Sequence, residues 1–245
     1  MLTTTDHLDA IVRDSAALAA VARTAGLDTP VRSCPGWTVA DLVVHVGNVQ
    51  RWAATIVSTL PAERISRTAM NEEPGPTEIL PWFEAASTSL VDALGAADPS
   101  APVWTFTADR TVRFWFRRQA HEVAVHRWDA EAAAGDARAI DTARAADGVA
   151  EWLDLSLTGL AKLTGHSETV HLHCTDTDEG SAGEWLITLA ADGPTIVPVH
   201  AKGDVAARGT ASDLDLFVWG RVDASALEVF GDADLLGRFR DVGAS

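Results

Sequence analysis

Glu122 and His126, in the stretch Glu-Val-Ala-Val-His, are four residues apart. On a helix that offset puts both on one face with Cβ atoms about 5–6 Å apart, close enough to share a cation. His45 lies between Val44 and Val46, on a stripe with Leu42, Val49, Trp52 and Ile56 that looks into a helical interior. Two imidazoles and one carboxylate suit zinc or another divalent ion, and leave a position for water or substrate. Helical bundles hold metals this way, with inward side chains from facing helices. A buried glutamate with neither cation nor donor is costly, so the interior must supply it a partner. Spacing leaves other partners open. Arg118, one turn before Glu122, offers an ion pair, and Glu/His pairs at this offset also make simple surface hydrogen bonds. His121 competes as a ligand but falls off the stripe carrying Glu122 and His126.

Other candidates are weaker. His171 and His173 share a face if Thr169–Thr175 is a strand, a spacing found in metal sites. No third ligand stands at sensible spacing and Cys174 points the other way, so they read as paired exposed histidines. Cys34 precedes Pro35-Gly36 near a helix start, where its pKa would fall, yet a small apolar residue in a tight turn accounts for it. Arg113-Phe-Trp-Phe-Arg117-Arg118, with Arg127-Trp128, is the one basic-aromatic patch. It reads as a solvated helix face more readily than as a mouth for a small anion. No G-x-S-x-G elbow, glycine-rich dinucleotide loop or Walker pattern is present.

The elements that must position these residues are mostly helices as far as Leu163. Leu8 through Ala22 repeat at helical spacing and stop near Gly26. Thr38, three residues before Asp41, reads as the N-cap of the helix carrying His45. A third helix spans roughly residues 77–94, a fourth runs from about Thr111 to Ala134, and a fifth from about Asp141 to Leu163. Residues 169–175, 184–189 and 195–200 then alternate as strands, punctuated by turn signals at Glu179-Gly180, Asp192-Gly193 and Lys202-Gly203. Ala211–Trp219 and Ala233–Phe239 read as helices. The boundary falls near Gly165, giving a helical domain over 1–165 and a small α/β domain over 166–245.

Composition sets the limits. The chain has 245 residues, 35 acidic and 19 basic, for a formal charge of −16. Such acidity argues against nucleic-acid binding and against anionic membrane surfaces. Only Lys162 and Lys202 are lysines and tyrosine is absent, which narrows Schiff-base and phenol chemistry. Two cysteines cannot build a disulfide framework, the N-terminal residues do not read as a signal peptide, and no apolar run approaches the roughly 20 residues of a membrane span. The reading is a soluble cytoplasmic protein with reduced thiols, monomeric or homodimeric.

Four stretches recur in order in a known family: Ser33-Cys-Pro-Gly-Trp-Thr-Val-Ala-Asp-Leu-Val-Val-His45, Arg117-Arg-Gln-Ala-His-Glu-Val-Ala-Val-His-Arg-Trp-Asp129, His171-Leu-His-Cys-Thr-Asp176, and Gly209-Thr-Ala-Ser-Asp-Leu through Trp219-Gly-Arg221. On these the chain resembles the mycothiol-dependent maleylpyruvate isomerase family of the DinB-like metalloenzyme superfamily, over nearly its whole length. The resemblance implies an α+β fold, a DinB-like four-helix bundle followed by a small C-terminal α/β domain. It implies His45, Glu122 and His126 as ligands of a divalent metal, usually zinc, and mycothiol as a thiol cosubstrate activated as the thiolate. In an isomerase the thiolate adds to a cis double bond, permits rotation and is eliminated; in a transferase the adduct is kept. The Trp-Gly-Arg motif resembles the position from which the family's C-terminal domain offers an arginine, which nominates Arg221 as the anchor of a small, anionic, electrophilic substrate. His171 and His173 become a shared strand motif without an assigned role. A non-catalytic metal- or ligand-binding protein and a thiol-independent metal-dependent hydrolase are the competing functions.

Overall fold

Thr3 and Thr38 each stand three residues before an aspartate, and each starts a long helix. In both, the threonine side chain accepts from the aspartate N–H and the aspartate carboxylate accepts from the threonine N–H. This reciprocal box satisfies two of the amide donors a helix start leaves orphaned. The computed structural model describes residues 2–163, 167–178 and 183–243. The turn expected at Glu179-Gly180 and the boundary residue Gly165 lie outside them.

Helix α1 (Thr4–Ala25) ends at Gly26, whose φ of 90° suits a residue without a side chain. A short antiparallel pair, β1 (Pro30–Val31) and β2 (Trp37–Thr38), follows and feeds directly into α2 (Val39–Thr59). Helices α3 (Ile79–Ala96) and α4 (Val112–Ala134) complete the first unit, and Gly135 closes α4 in the left-handed region. Helix α1 packs on α3 and α4, and α2 on the same two. Ile11, Leu18, Leu42, Ile56, Phe83, Leu90 and Trp115 are all buried in this unit, each contributing about 1.5–3 kcal/mol through burial. One contact is unusually close: the Trp82 indole of α3 occupies the space that a side chain at Gly47 of α2 would need.

The second unit begins with α5 (Thr142–Leu160), so the chain divides between Arg138 and Ala139. This moves the expected boundary at 165 upstream by one helix. The physical reason is where α5 buries its apolar face. Val149, Trp152 and Leu153 are buried, α5 packs on α6 and α7, and the Trp152 ring lies 5.2 Å from Phe239. Strands β3 (Glu168–Cys174), β4 (Glu184–Ala190), β5 (Gly193–Val197), β6 (Val205–Gly209) and β7 (Glu228–Gly231) form one sheet in the order β5-β4-β3-β6-β7. Neighbours are antiparallel except β3 and β6, which run parallel. Helices α6 (Ala211–Val218) and α7 (Ala233–Gly243) flank β7 in the chain. Val170, Leu172 and Cys174 face a core that also buries Ile187, Leu189, Val205 and Ala207. Among the described residues, no helix is long and apolar enough to cross a membrane.

Candidate metal centre

His45 sits in the second turn of α2, and Glu122 and His126 in the middle of α4. Packing of the two helices brings all three together. His45 Nε2 lies 3.3 Å from Glu122 Oε1, and His126 Nε2 lies 3.5 Å from the same oxygen. The two imidazole rings stand edge to face with centroids 5.1 Å apart. The three ligand atoms all fall within 4.8 Å of one another. Zinc–nitrogen and zinc–oxygen bonds of about 2.0–2.1 Å imply ligand separations of about 3.3 Å at tetrahedral angles. The two spacings to Glu122 match that edge, and the donor set is one zinc accepts, so the residues fit a divalent ion.

The neighbours aim these ligands. Arg118 Nη2 donates to Glu122 Oε2 at 2.8 Å, so the ion pair left open by spacing is present beside the histidine contacts rather than instead of them. Each carboxylate oxygen has its own work: Oε2 takes the guanidinium and Oε1 faces both imidazoles. Burial would raise the Glu122 carboxyl, but hydrogen bonds from His126 and His45 and the charge of Arg118 hold it well below the usual carboxylate range. Burial likewise opposes charge on His126, yet hydrogen bonds to Asp129 and Glu122 raise it above the ordinary histidine value.

Asp129 carries no functional reading from sequence, and the structure makes it central. It is fully buried, and its Oδ2 accepts from His126 Nδ1 at 2.9 Å. That bond fixes the tautomer and turns Nε2 toward Glu122, the arrangement metal-bound histidines commonly show. The available signal was an aspartate three residues after His126 on the same helix, within reach of its ring. Cys34, in the turn between β1 and β2, places its thiol 3.6 Å from the same aspartate oxygen. Trp37, one residue before the α2 cap, lays its ring 4.9 Å from His45.

The remaining candidates separate. His121 is buried away from the trio, its ring 5.9 Å from that of His7. The basic-aromatic run is not a solvated face. Phe114, Trp115 and Phe116 are buried, Arg118 serves Glu122, and Arg127 is buried against Glu131 and Asp14. Of this run Arg113 alone is exposed. Arg221 lies in the second unit just past α6, where Gly220 turns the chain at φ 72° and Arg221 Nη1 donates to the Trp219 carbonyl at 2.7 Å. His171 is buried rather than exposed, and His173 and His171 both face Glu184 of β4.

A four-helix unit presenting two histidines and a carboxylate, followed by a unit built on a five-stranded sheet, defines a class of two-part α+β protein with a candidate metal centre in its helices. The mycothiol maleylpyruvate isomerase N-terminal domain matches residues 8–131, and the MDMPI C-terminal domain matches residues 143–238. The chain therefore belongs to the mycothiol-dependent maleylpyruvate isomerase family. Among solved structures it is similar to mycothiol-dependent maleylpyruvate isomerase, at 15% identity and a TM-score of 0.54. It is similar also to a histidine-to-alanine mutant of that enzyme, at 14% identity and a TM-score of 0.56. Each alignment covers 93% of both chains, and at these identities it speaks for the fold. No curated protein matches the chain.

Proposed function

We propose that this protein is a divalent-metal enzyme, with zinc as its ion, that uses mycothiol as nucleophile in a cis–trans isomerisation or S-transfer on a small anionic electrophile. The observation that carries this reading is the convergence of His45, Glu122 and His126, with both imidazoles at about a zinc tetrahedron's edge from one Glu122 oxygen. When bound, the ion would hold a coordinating thiol as its thiolate at neutral pH.

The chain's own residues prepare that state. Asp129 keeps the proton of His126 on Nδ1, so the Nε2 lone pair is available to a cation. The imidazoles of His126 and His45 and the charge of Arg118 together keep Glu122 ionised, and Arg118 orients it so that Oε1 faces the histidines. His45, Glu122 and His126, from two helices, would hold the ion and leave it room for a thiol. For Arg221 the assignment as carboxylate anchor rests on the Trp219-Gly-Arg221 motif and on the chemistry of a guanidinium, whose planar fork suits a carboxylate. Neither cysteine is in a disulfide among the described residues, in keeping with a reducing cytoplasm and with a nucleophile supplied from outside the chain.

The test is turnover by zinc-loaded protein with and without mycothiol, using maleylpyruvate as first probe and other cis-enoyl acids after it. Thiol-dependent turnover abolished by His126→Ala is the expected result. Turnover that ignores the thiol would assign a metal-dependent hydrolase. Stoichiometric zinc with no turnover on any electrophile would assign a non-catalytic binding protein.

A further inference from the structure

The second unit carries a group of ligands that the bundle chemistry does not use. His171 and His173 alternate on β3, so their side chains leave the sheet on the face opposite the one where Val170, Leu172 and Cys174 are buried. Glu184 is the cross-strand partner of His173 on β4 and shares that face. His200 comes from the segment between β5 and β6, outside any strand, and completes the group. The expectation of a strand over 195–200 fails here, because β5 stops at Val197.

Glu184 is the hub. Its Oε2 lies 3.3 Å from His171 Nε2 and 2.7 Å from His200 Nδ1, and its Oε1 lies 3.4 Å from His173 Nδ1. The three imidazole rings stand edge to face in pairs, with centroids 5.5–5.9 Å apart. Four ligand atoms, one from each residue, fall within 4.8 Å of one another. His173 Nδ1 is buried and makes no hydrogen bond. Buried polar atoms in native proteins have partners, and this nitrogen stands 3.4 Å from a carboxylate oxygen with ligand atoms of two further imidazoles grouped beside it.

Charge points the same way. With three neutral histidines the group holds one negative charge, and a divalent cation turns that into one positive charge spread over four ligands. Protonating all three imidazoles would instead crowd three like charges around one carboxylate. Three nitrogens and one carboxylate oxygen form a four-coordinate zinc set, and on Glu184 Oε2 the His171 contact already matches the tetrahedral edge of about 3.3 Å. The shorter His200 contact is a hydrogen bond that would open by a few tenths of an ångström around an ion.

We propose that His171, His173, Glu184 and His200 form a second, closed zinc site that fastens the segment between β5 and β6 to the sheet. All four positions are filled by protein, as in structural rather than catalytic zinc sites. Loading is open to solvent, since His200 is 76% exposed. The proposal is independent of the bundle reading, because the two sites share no residue.

The test counts zinc on the full-length chain by competition with a chromophoric chelator, with cobalt substitution as the spectroscopic readout. Two equivalents are expected, falling to one in His126→Ala, to one in His200→Ala and to none in the double variant. His200 is an exposed coil residue, so its replacement leaves the fold intact; His173→Ala gives a second measurement with the same expected loss. In the His126→Ala background, added zinc should raise the unfolding midpoint and cobalt should give tetrahedral d–d bands, and both should vanish with His200→Ala. One equivalent in the wild type and none in His126→Ala would overturn the sheet site. One equivalent that survives His126→Ala and is lost in His200→Ala would uphold it and sink the bundle reading instead.

Discussion

His126 Nδ1 lies 2.9 Å from Asp129 Oδ2, and this contact decides which nitrogen of His126 faces Glu122 and His45. If the trio holds zinc, Asp129→Asn should weaken zinc affinity about 10–100-fold, the range seen when such supporting partners are removed. Chelator competition measures the affinity, and circular dichroism checks that the helices persist. An unchanged affinity would remove His126 Nε2 from the ligand set.

The ion-free protein should show a two-sided pH profile set by the same pair. Glu122 is held well below its ordinary value of 4.5, so its contribution is complete above that value and is lost as pH falls through the depressed one. His126 is raised above 6.5, so its contribution is complete below 6.5 and is lost as pH rises through the raised value. Both are present between about pH 4.5 and 6.5. Urea unfolding of chelator-treated wild type and Glu122→Gln should differ most in that window, converge below it as Glu122 takes up a proton, and narrow above it as His126 loses one. A difference independent of pH would contradict the coupling.

Gly47→Ala sets helix propensity against packing. Alanine favours a helix interior over glycine by about 1 kcal/mol, but here a Cβ would collide with the rigid Trp82 ring. Overpacking costs about 1–3 kcal/mol, so the substitution should lower Tm by a few degrees. Adding Trp82→Leu to make room should recover the loss. A rise in Tm from the single variant would show that α3 yields.

Cys174 should be chemically silent. Burial, reinforced by nearby carboxylates, pushes its thiol up to about 12. At pH 8 that leaves about one thiolate in ten thousand, and only the thiolate reacts. Native protein should therefore take one equivalent of alkylating agent, at the half-buried Cys34, and two in denaturant; mass spectrometry of the modified peptides decides it. Rapid native labelling of Cys174 would contradict the burial.

Arg221→Gln should raise KM for an anionic substrate by about tenfold or more while leaving kcat and zinc content near wild type, as loss of a charged ground-state contact does. Unchanged KM would release Arg221 from the anchor role.

How much of this was legible beforehand differs by element. The capping box at Thr38, the long helices and the strands at β3 and β4 follow from local patterns, and the trio follows from an i, i+4 pair plus an apolar stripe. What was not legible depends on tertiary neighbours. Strand β6, Val-Ala-Ala-Arg-Gly, has almost no apolar alternation and forms because β3 offers it a parallel edge; β7 is four residues at the sheet's rim. Helix α5 looks like any amphipathic helix, and only the partners of Trp152 say which unit owns it. The sheet histidines read as an exposed pair because Glu184 is ten or more residues away and meets them through strand register alone. Asp129 drew no reading of its own because periodicity cannot distinguish a buried partner from a solvated acid.

The reciprocal bonds between Thr38 and Asp41 have a consequence beyond their energy. A helix of 3.6 residues per turn rotates each successive side chain by about 100°. A start displaced by one residue would swing His45 a quarter turn or more around the axis of α2, away from Glu122, with scarcely any change in helix content. By naming the first residue of α2, the threonine and aspartate set its angular phase. His45, the candidate ligand seven residues after the threonine, inherits that phase.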